Sequence, residues 1–140
     1  MFKLDSRLQN DTVVVGSFPL CLLLLNKDAN YPWFILVPQV EELTEIHHLS
    51  EEQQVQFLNE SCLLAEAITD VFDPDKLNIA ALGNVVPQLH IHHIARFIKD
   101  PAWPAPIWNK VPAIDYTQQQ LEQRLKRIRT ALEGKQFKSA

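Results

Sequence analysis

Apolar positions fall into runs with two different periods. From Thr12 to Phe18 the residues are β-branched and apolar, which predicts a strand. Pro19 interrupts it. Leu20 to Leu25 is a second, continuous apolar run, as expected of a strand buried on both faces. The turn formers of Asn26 to Pro32 separate it from a third run, Trp33 to Val37, which Pro38 stops. Two such runs joined by a turn predict an antiparallel pair. Residues 1–11 are mixed and polar and predict a lead-in with about one helical turn.

The period then changes. Ser50 and Gln53 have the spacing of a capping box. After them Val55, Leu58, Cys62, Ala65, Ile68 and Phe72 recur at steps of three and four. That stripe predicts a helix covering the sheet, ended by Pro74. Lys76 to Leu82 alternates at Leu77, Ile79 and Ala81 and predicts a fourth strand. Gly83-Asn84 is a turn pair, so a hairpin should lead into a fifth strand over residues 86–98. Residues 100–112 are rich in proline and carry Trp103 and Trp108. They predict an extended arm, since proline suits neither a helix interior nor a central strand. A second capping box, Thr117 and Gln120, opens a helix over residues 117–133 with Leu121, Leu125, Ile128 and Leu132 as its stripe and Gly134 at its end. Strands in hairpins with separate helices predict an α+β fold around an antiparallel sheet of about five strands.

Composition narrows the class. A chain of 140 residues suits one domain, 1–140, with a real core. A net charge of −4 gives no basic footprint for a nucleic-acid polymer, while leaving room for a mononucleotide. Cys21 and Cys62 lie in apolar runs, form no CxxC pair and are expected to be small buried hydrophobes, which suits a reducing cytoplasm. Residues 1–7 hold no apolar signal core, and Leu20 to Leu25 is too short to span a bilayer. A cytoplasmic protein without membrane attachment is therefore expected.

The candidate chemistry lies in Gln88-Leu89-His90-Ile91-His92-His93-Ile94-Ala95-Arg96. Strand side chains alternate, so Gln88, His90, His92 and Ile94 share one face and Leu89, Ile91, His93 and Ala95 the other. Positions two apart on a strand are roughly 6.6 to 6.8 Å apart at the backbone, which lets His90 and His92 reach one small anionic group. His93, on the apolar side, is expected to be a surface or satisfied core histidine. His47 and His48, just before the helix cap, are expected at the surface.

This segment resembles the signature of the histidine triad (HIT) family of nucleotide hydrolases and transferases, His-φ-His-φ-His-φ-φ with φ apolar. Gln88 stands in place of the first histidine, His90 is the middle one and His92 the last. His93 occupies a position where an apolar residue is expected. Gly83-Asn84-Val85-Val86-Pro87 is similar to the family's loop into the motif, and the order of elements matches over residues 12–98. The run from Asp100 to Trp108 looks like an extension found in a bacterial branch.

The resemblance implies a HIT-like sheet with its long helix, a homodimer and a small-molecule nucleotide substrate. It implies that His90 attacks the α-phosphorus through Nε2, giving a covalent histidine–nucleotide intermediate that water hydrolyses. A main-chain carbonyl of the motif would then hold Nδ1–H. Imidazole suits the task, being nucleophilic and neutral near pH 7. His92 would contact phosphate oxygens and assist the leaving group. Gln88, which cannot become a cation, would at most orient or touch phosphate. Asn84 and the N–H groups after Gly83 would cradle phosphate. Asn26 would hold the ribose, where Asp is commoner in the family; Asp28 is a rival, and a plain turn role for Asn26 is the alternative. Trp103 and Trp108 either pack the arm or stack on a base. No cofactor is required for the covalent route, although a divalent metal can accompany a polyphosphate substrate.

Two other readings stay open. Gln88 and His93 are departures that would suit a nucleotide-binding or interaction protein with little catalysis. Histidines two apart on a strand can also ligate zinc, although neither cysteine stands where a ligand is needed.

Overall fold

The computed structural model describes all 140 residues. Six antiparallel strands form one sheet in the order β4-β5-β3-β2-β1-β6. They are β1 Thr12–Ser17, β2 Cys21–Asn26, β3 Trp33–Pro38, β4 Lys76–Ala80, β5 Ile91–Arg96 and β6 Lys138–Ser139. Three helices join them: α1 Ser6–Asp11, α2 Glu51–Phe72 and α3 Gln118–Ala131. The fold is thus α+β, with one strand more than the expected five.

Both capping boxes form. Ser50 and Gln53 close the start of α2, and Thr117 and Gln120 close the start of α3. One face of the sheet meets α2 and α3 in a core of 19 buried residues, among them Leu23, Phe34, Leu64, Ile68, Ile91 and Ile128. At about 25 cal/mol per Å² of apolar area removed from water, burial of this kind is the main force closing the two layers. Leu4 and Leu8 pack on the opposite face against Leu24, Ile35 and Val37.

The lead-in forms the expected short helical segment, α1, capped by Asp5, whose side chain accepts the Arg7 N–H. Four other expectations need correction. The motif strand is shorter than residues 86–98. Ile91 is opposite Leu36, and the next β3 positions run into Pro38, which has no N–H to offer the ladder. On its other side β4 ends at Ala80, opposite His92. Gln88 to His90 therefore leave the sheet, and the β4–β5 connection is a ten-residue loop, 81–90, instead of a tight hairpin.

The predicted stripe of α2 is also turned. Its buried residues include Phe57, Glu60, Ser61, Leu64 and Ile68, whereas Val55, Leu58 and Cys62 are exposed. At about 100° per residue the exposed row lies roughly 140° around the helix from the buried face. Cys62 is consequently no core residue; Cys21 is. Glu60 tolerates full burial because its oxygens accept the N–H groups of Leu20 and Cys21, 2.9 and 2.8 Å away, and Gln56 Nε2–H at 2.6 Å.

β5 is the pivot of the sheet. It pairs with β3 on one side and β4 on the other, and all six of its residues are buried. No helix is long and apolar enough to cross a membrane.

Candidate active site

The alternation expected of the motif holds even where the ladder does not. Leu89, Ile91 and Ala95 enter the core beneath α2. His90 and His92 lie on the other side, with ring centroids 4.9 Å apart. His90 sits just before β5, where its Nδ1 is 2.7 Å from the carbonyl oxygen of Gln88. A carbonyl only accepts, so Nδ1 carries the proton and Nε2 holds a free lone pair. Gly83 presses against this ring. A Cβ there would come within 3.1 Å of His90 Cε1 and 2.7 Å of the Val86 carbonyl, so only glycine leaves the imidazole in place. Beside it lies a cleft of about 170 Å³, lined by Thr44, Glu45, Gly83, Asn84, Gln88 and His90 among others. Its volume suits a phosphate group rather than a whole nucleotide.

His92 is held in the opposite tautomer. Trp33 Nε1–H donates to its Nδ1 at 2.9 Å, so Nε2 carries the proton and points at the Leu82 carbonyl, 3.1 Å away. Burial, with His90 alongside, lowers its pKa to about 4. Trp108 meets the His92 ring edge-on at 4.7 Å and Trp33 at 5.5 Å. The nucleophile candidate therefore offers a lone pair, and its neighbour offers an N–H.

Gln88 has a different task from phosphate contact. Its amide Oε1 accepts the Asp5 N–H at 2.8 Å and its Nε2 donates to the Lys3 carbonyl at 2.9 Å. The side chain thus clamps the N-terminal segment to the motif, while the same residue's carbonyl orients His90. His93 faces the core. Its Nδ1–H donates to the Ile91 carbonyl at 3.0 Å, so Nε2 accepts the Ser61 hydroxyl proton at 2.7 Å. It is a satisfied core histidine, and burial lowers its pKa to about 4.

The remaining candidates separate. Asn26 lies at the end of β2, next to the β3 start and on the same face as Leu24 and His92. Its Oδ1 accepts the Asp28 N–H at 2.9 Å, which leaves a second lone pair and the amide N–H groups available. The Asp28 carboxylate instead holds its own turn and the chain just past the arm, accepting from Asn30 N, Asn30 Nδ2 and Ile114 N. The two arm tryptophans divide: Trp108 reaches His92, while Trp103 lies over the guanidinium of Arg96, 5.7 Å from it. Arg96 is buried and forms a two-point pair with Asp100, through Nε at 2.8 Å and Nη2 at 3.1 Å. His47 and His48 lie in an exposed 3-10 turn and do not line the cleft. No group of three or more His, Cys, Asp or Glu side chains is gathered that could hold a metal ion.

Sequence reasoning missed Trp33, Thr44 and Glu45. Trp33 gave one usable signal, as the first residue of a strand facing the motif. Its bond to His92 depends on a register between positions 59 apart.

Comparison with known proteins gives a consistent picture. The HIT domain family model matches residues 7–99. A histidine triad protein from Marinobacter aquaeolei VT8 is 47% identical, with 95% of this chain and 97% of that one covered and a TM-score of 0.92. A histidine triad protein from Bradyrhizobium japonicum is 42% identical over 93% and 97% of the two chains, with a TM-score of 0.92. A third, from Sinorhizobium meliloti 1021, is 37% identical over 94% and 98%, with a TM-score of 0.91. No protein of curated function matches at a significant level.

Proposed function

Because the chain belongs to the HIT domain family, we propose that it is a nucleotidyl hydrolase or transferase. It acts at the α-phosphate of a nucleotide conjugate of the dinucleoside polyphosphate or nucleoside phosphoramidate type. The observation that carries this reading is the state of His90: Nδ1–H is spent on the Gln88 carbonyl at 2.7 Å, which leaves Nε2 as a nucleophile beside a phosphate-sized cleft. Attack by Nε2 on the α-phosphorus gives a covalent His90–nucleotide, and water releases the nucleotide. Asn84 and the backbone after Gly83 receive phosphate oxygens, and Asn26 the ribose. With its ring held by Trp33, His92 shares its Nε2–H between the Leu82 carbonyl and an oxygen of the substrate. The step needs no cofactor, and any divalent ion arrives with a polyphosphate substrate.

The alternative of a binding protein with little catalysis was motivated by Gln88 and His93. Both have structural employment that leaves His90 free, which favours the enzyme. We extend the proposal to a homodimer, supported by the exposed apolar row of α2, and to the cytoplasm, a reducing compartment that suits two free cysteines.

The test is turnover of a panel of adenosine and guanosine dinucleoside polyphosphates and phosphoramidates by wild type and His90→Asn. The variant should keep its circular dichroism and melting profile and lose activity by many orders of magnitude, as expected when an activated nucleophile is removed. Near-normal activity of His90→Asn would end the covalent reading.

A further inference from the structure

His92 stands next to the proposed nucleophile, and groups without a choice of role set its protonation. An indole N–H only donates, so Trp33 makes Nδ1 an acceptor at 2.9 Å. A peptide carbonyl only accepts, so Nε2 carries the proton. To become an imidazolium, His92 would need a second proton on Nδ1, pointing straight at the indole N–H. The ring is also 5% exposed, walled by Trp33, Trp108 and His90. Its lowered pKa, about 4, agrees with this geometry.

No neighbour compensates. Gln88, at the first triad position, holds no acidic proton and has both amide atoms engaged. His93 faces the opposite side of the sheet, against Ser61. Glu45 is exposed at the cleft, which His90 lines and His92 does not. The site therefore offers hydrogen bonds to a departing group and lacks a general acid.

We propose that Trp33 is a positioning residue that locks His92 as a neutral Nε2–H donor, and that this lock restricts the enzyme to conjugates whose leaving group departs as a stable oxyanion. The proposal rests on the reading of His90 as nucleophile. In the first step the His90 Nε2 lone pair forms an N–P bond. The bond from phosphorus to the bridging oxygen breaks, and its electron pair leaves with that oxygen. A phosphate-ended group holds this pair as an anion, steadied by the His92 N–H. An amine nitrogen must be protonated before it can leave, and no proton is supplied. Water then attacks phosphorus, the N–P pair returns to Nε2, and the water proton passes to solvent. Anhydride conjugates are thus substrates, and phosphoramidates are poor ones.

Two measurements test this. Long-range ¹⁵N–¹H spectra of the imidazoles read tautomers directly. Wild type should show the His92 proton on Nε2, and Trp33→Phe a mixture of tautomers. Paired adenosine substrates, one with a phosphate-ended and one with an amine leaving group, read the consequence. Wild-type kcat/KM should favour the first by about a hundredfold or more, the scale of a missing general acid. Trp33→Phe should narrow that gap by about tenfold, through kcat and with little change in KM. Should that variant fold poorly, 3-benzothienylalanine at position 33 keeps the indole shape without its N–H donor. A wild-type His92 protonated on Nδ1, an amine conjugate turned over equally well, or a gap unmoved by loss of the indole N–H would overturn the proposal. Turnover of neither conjugate would bring down the enzymatic reading and the proposal together, whereas turnover of both without preference would remove the proposal alone.

Discussion

Gln88 is the residue at which this chain departs from the triad pattern, and its contacts give the departure a physical reason. An amide presents a donor and an acceptor side by side, which matches the carbonyl of Lys3 and the N–H of Asp5. An imidazole cannot reproduce that parallel pair. Gln88→Ala should therefore cost about 1 to 3 kcal/mol, since two backbone groups lose their partner. Gln88→His should fall between it and wild type. Urea denaturation of the three proteins checks this, and equal stabilities would show that the clamp does not matter. The facing of His90 and His92 was legible in the sequence, because a period of two needs no knowledge of neighbouring strands. The partners of Gln88 were not, being 83 and 85 positions away. Of the two roles its place in the motif suggested for Gln88, orientation or phosphate contact, its geometry fits the first: its carbonyl orients His90, and its amide is engaged by the N-terminal segment.

At the scale of elements, the arm of residues 100–112 depends on one buried ion pair. Asp100 takes Nε and Nη2 of Arg96 and also accepts the N–H groups of Phe97, Ala102 and Trp103. Burial alone would raise its pKa, but these bonds hold the carboxyl below the usual value. Arg96 also reaches the Ala105 carbonyl and Asn78, so it fastens the arm to β4 and β5 together. Removing one partner leaves an unpaired buried charge, which costs about 3 to 5 kcal/mol. Asp100→Ala should lower stability by that order and release Trp108 from His92, seen as a change in tryptophan emission and a lower melting temperature. A variant that melts like wild type would contradict the anchor. Helix facing shows the limit of pattern reading. Val55, Leu58 and Cys62 do form a row, but periodicity does not say which row turns inward. Ser61 and Glu60 turn inward because His93 and the β2 backbone receive them.

For the whole molecule, the β2–β3 and β4–β5 pairings were legible in the succession of strands; the insertion of β5 between β3 and β4 was not, since it joins strands separated by α2, and neither was β6. Two residues carry no pattern, and that strand docks where Gly16 leaves room; a side chain there would collide with the Lys138 carbonyl and Phe137. The outward apolar row of α2 bears on assembly. Val55 is 71% exposed and Leu58 62%, on a helix whose other face is fully used. With a second copy as the occupant, Leu58→Asp should leave the fold intact and convert a dimer to a monomer in sedimentation velocity. A wild type that sediments as a monomer would refute that assembly. The buried pair of neutral imidazoles carries a different consequence, for acid. His92 and His93 have folded-state pKa values of about 4, below the ordinary 6.5. Between those values the unfolded chain binds more protons, so stability rises with pH across that window. The contribution is complete above about 6.5 and is lost as pH falls toward 4, on the order of 3 kcal/mol for each ring. Unfolding near pH 5 should accordingly take up protons, measurable as a buffer-dependent enthalpy in calorimetry. In His93→Gln, which has no ring to charge, that uptake should shrink by roughly one proton at most; an unchanged uptake would mean His93 is already charged in the folded protein. With His93 neutral in the fold, the imidazole that departs from the family pattern joins His92 in setting how far into acid the fold survives.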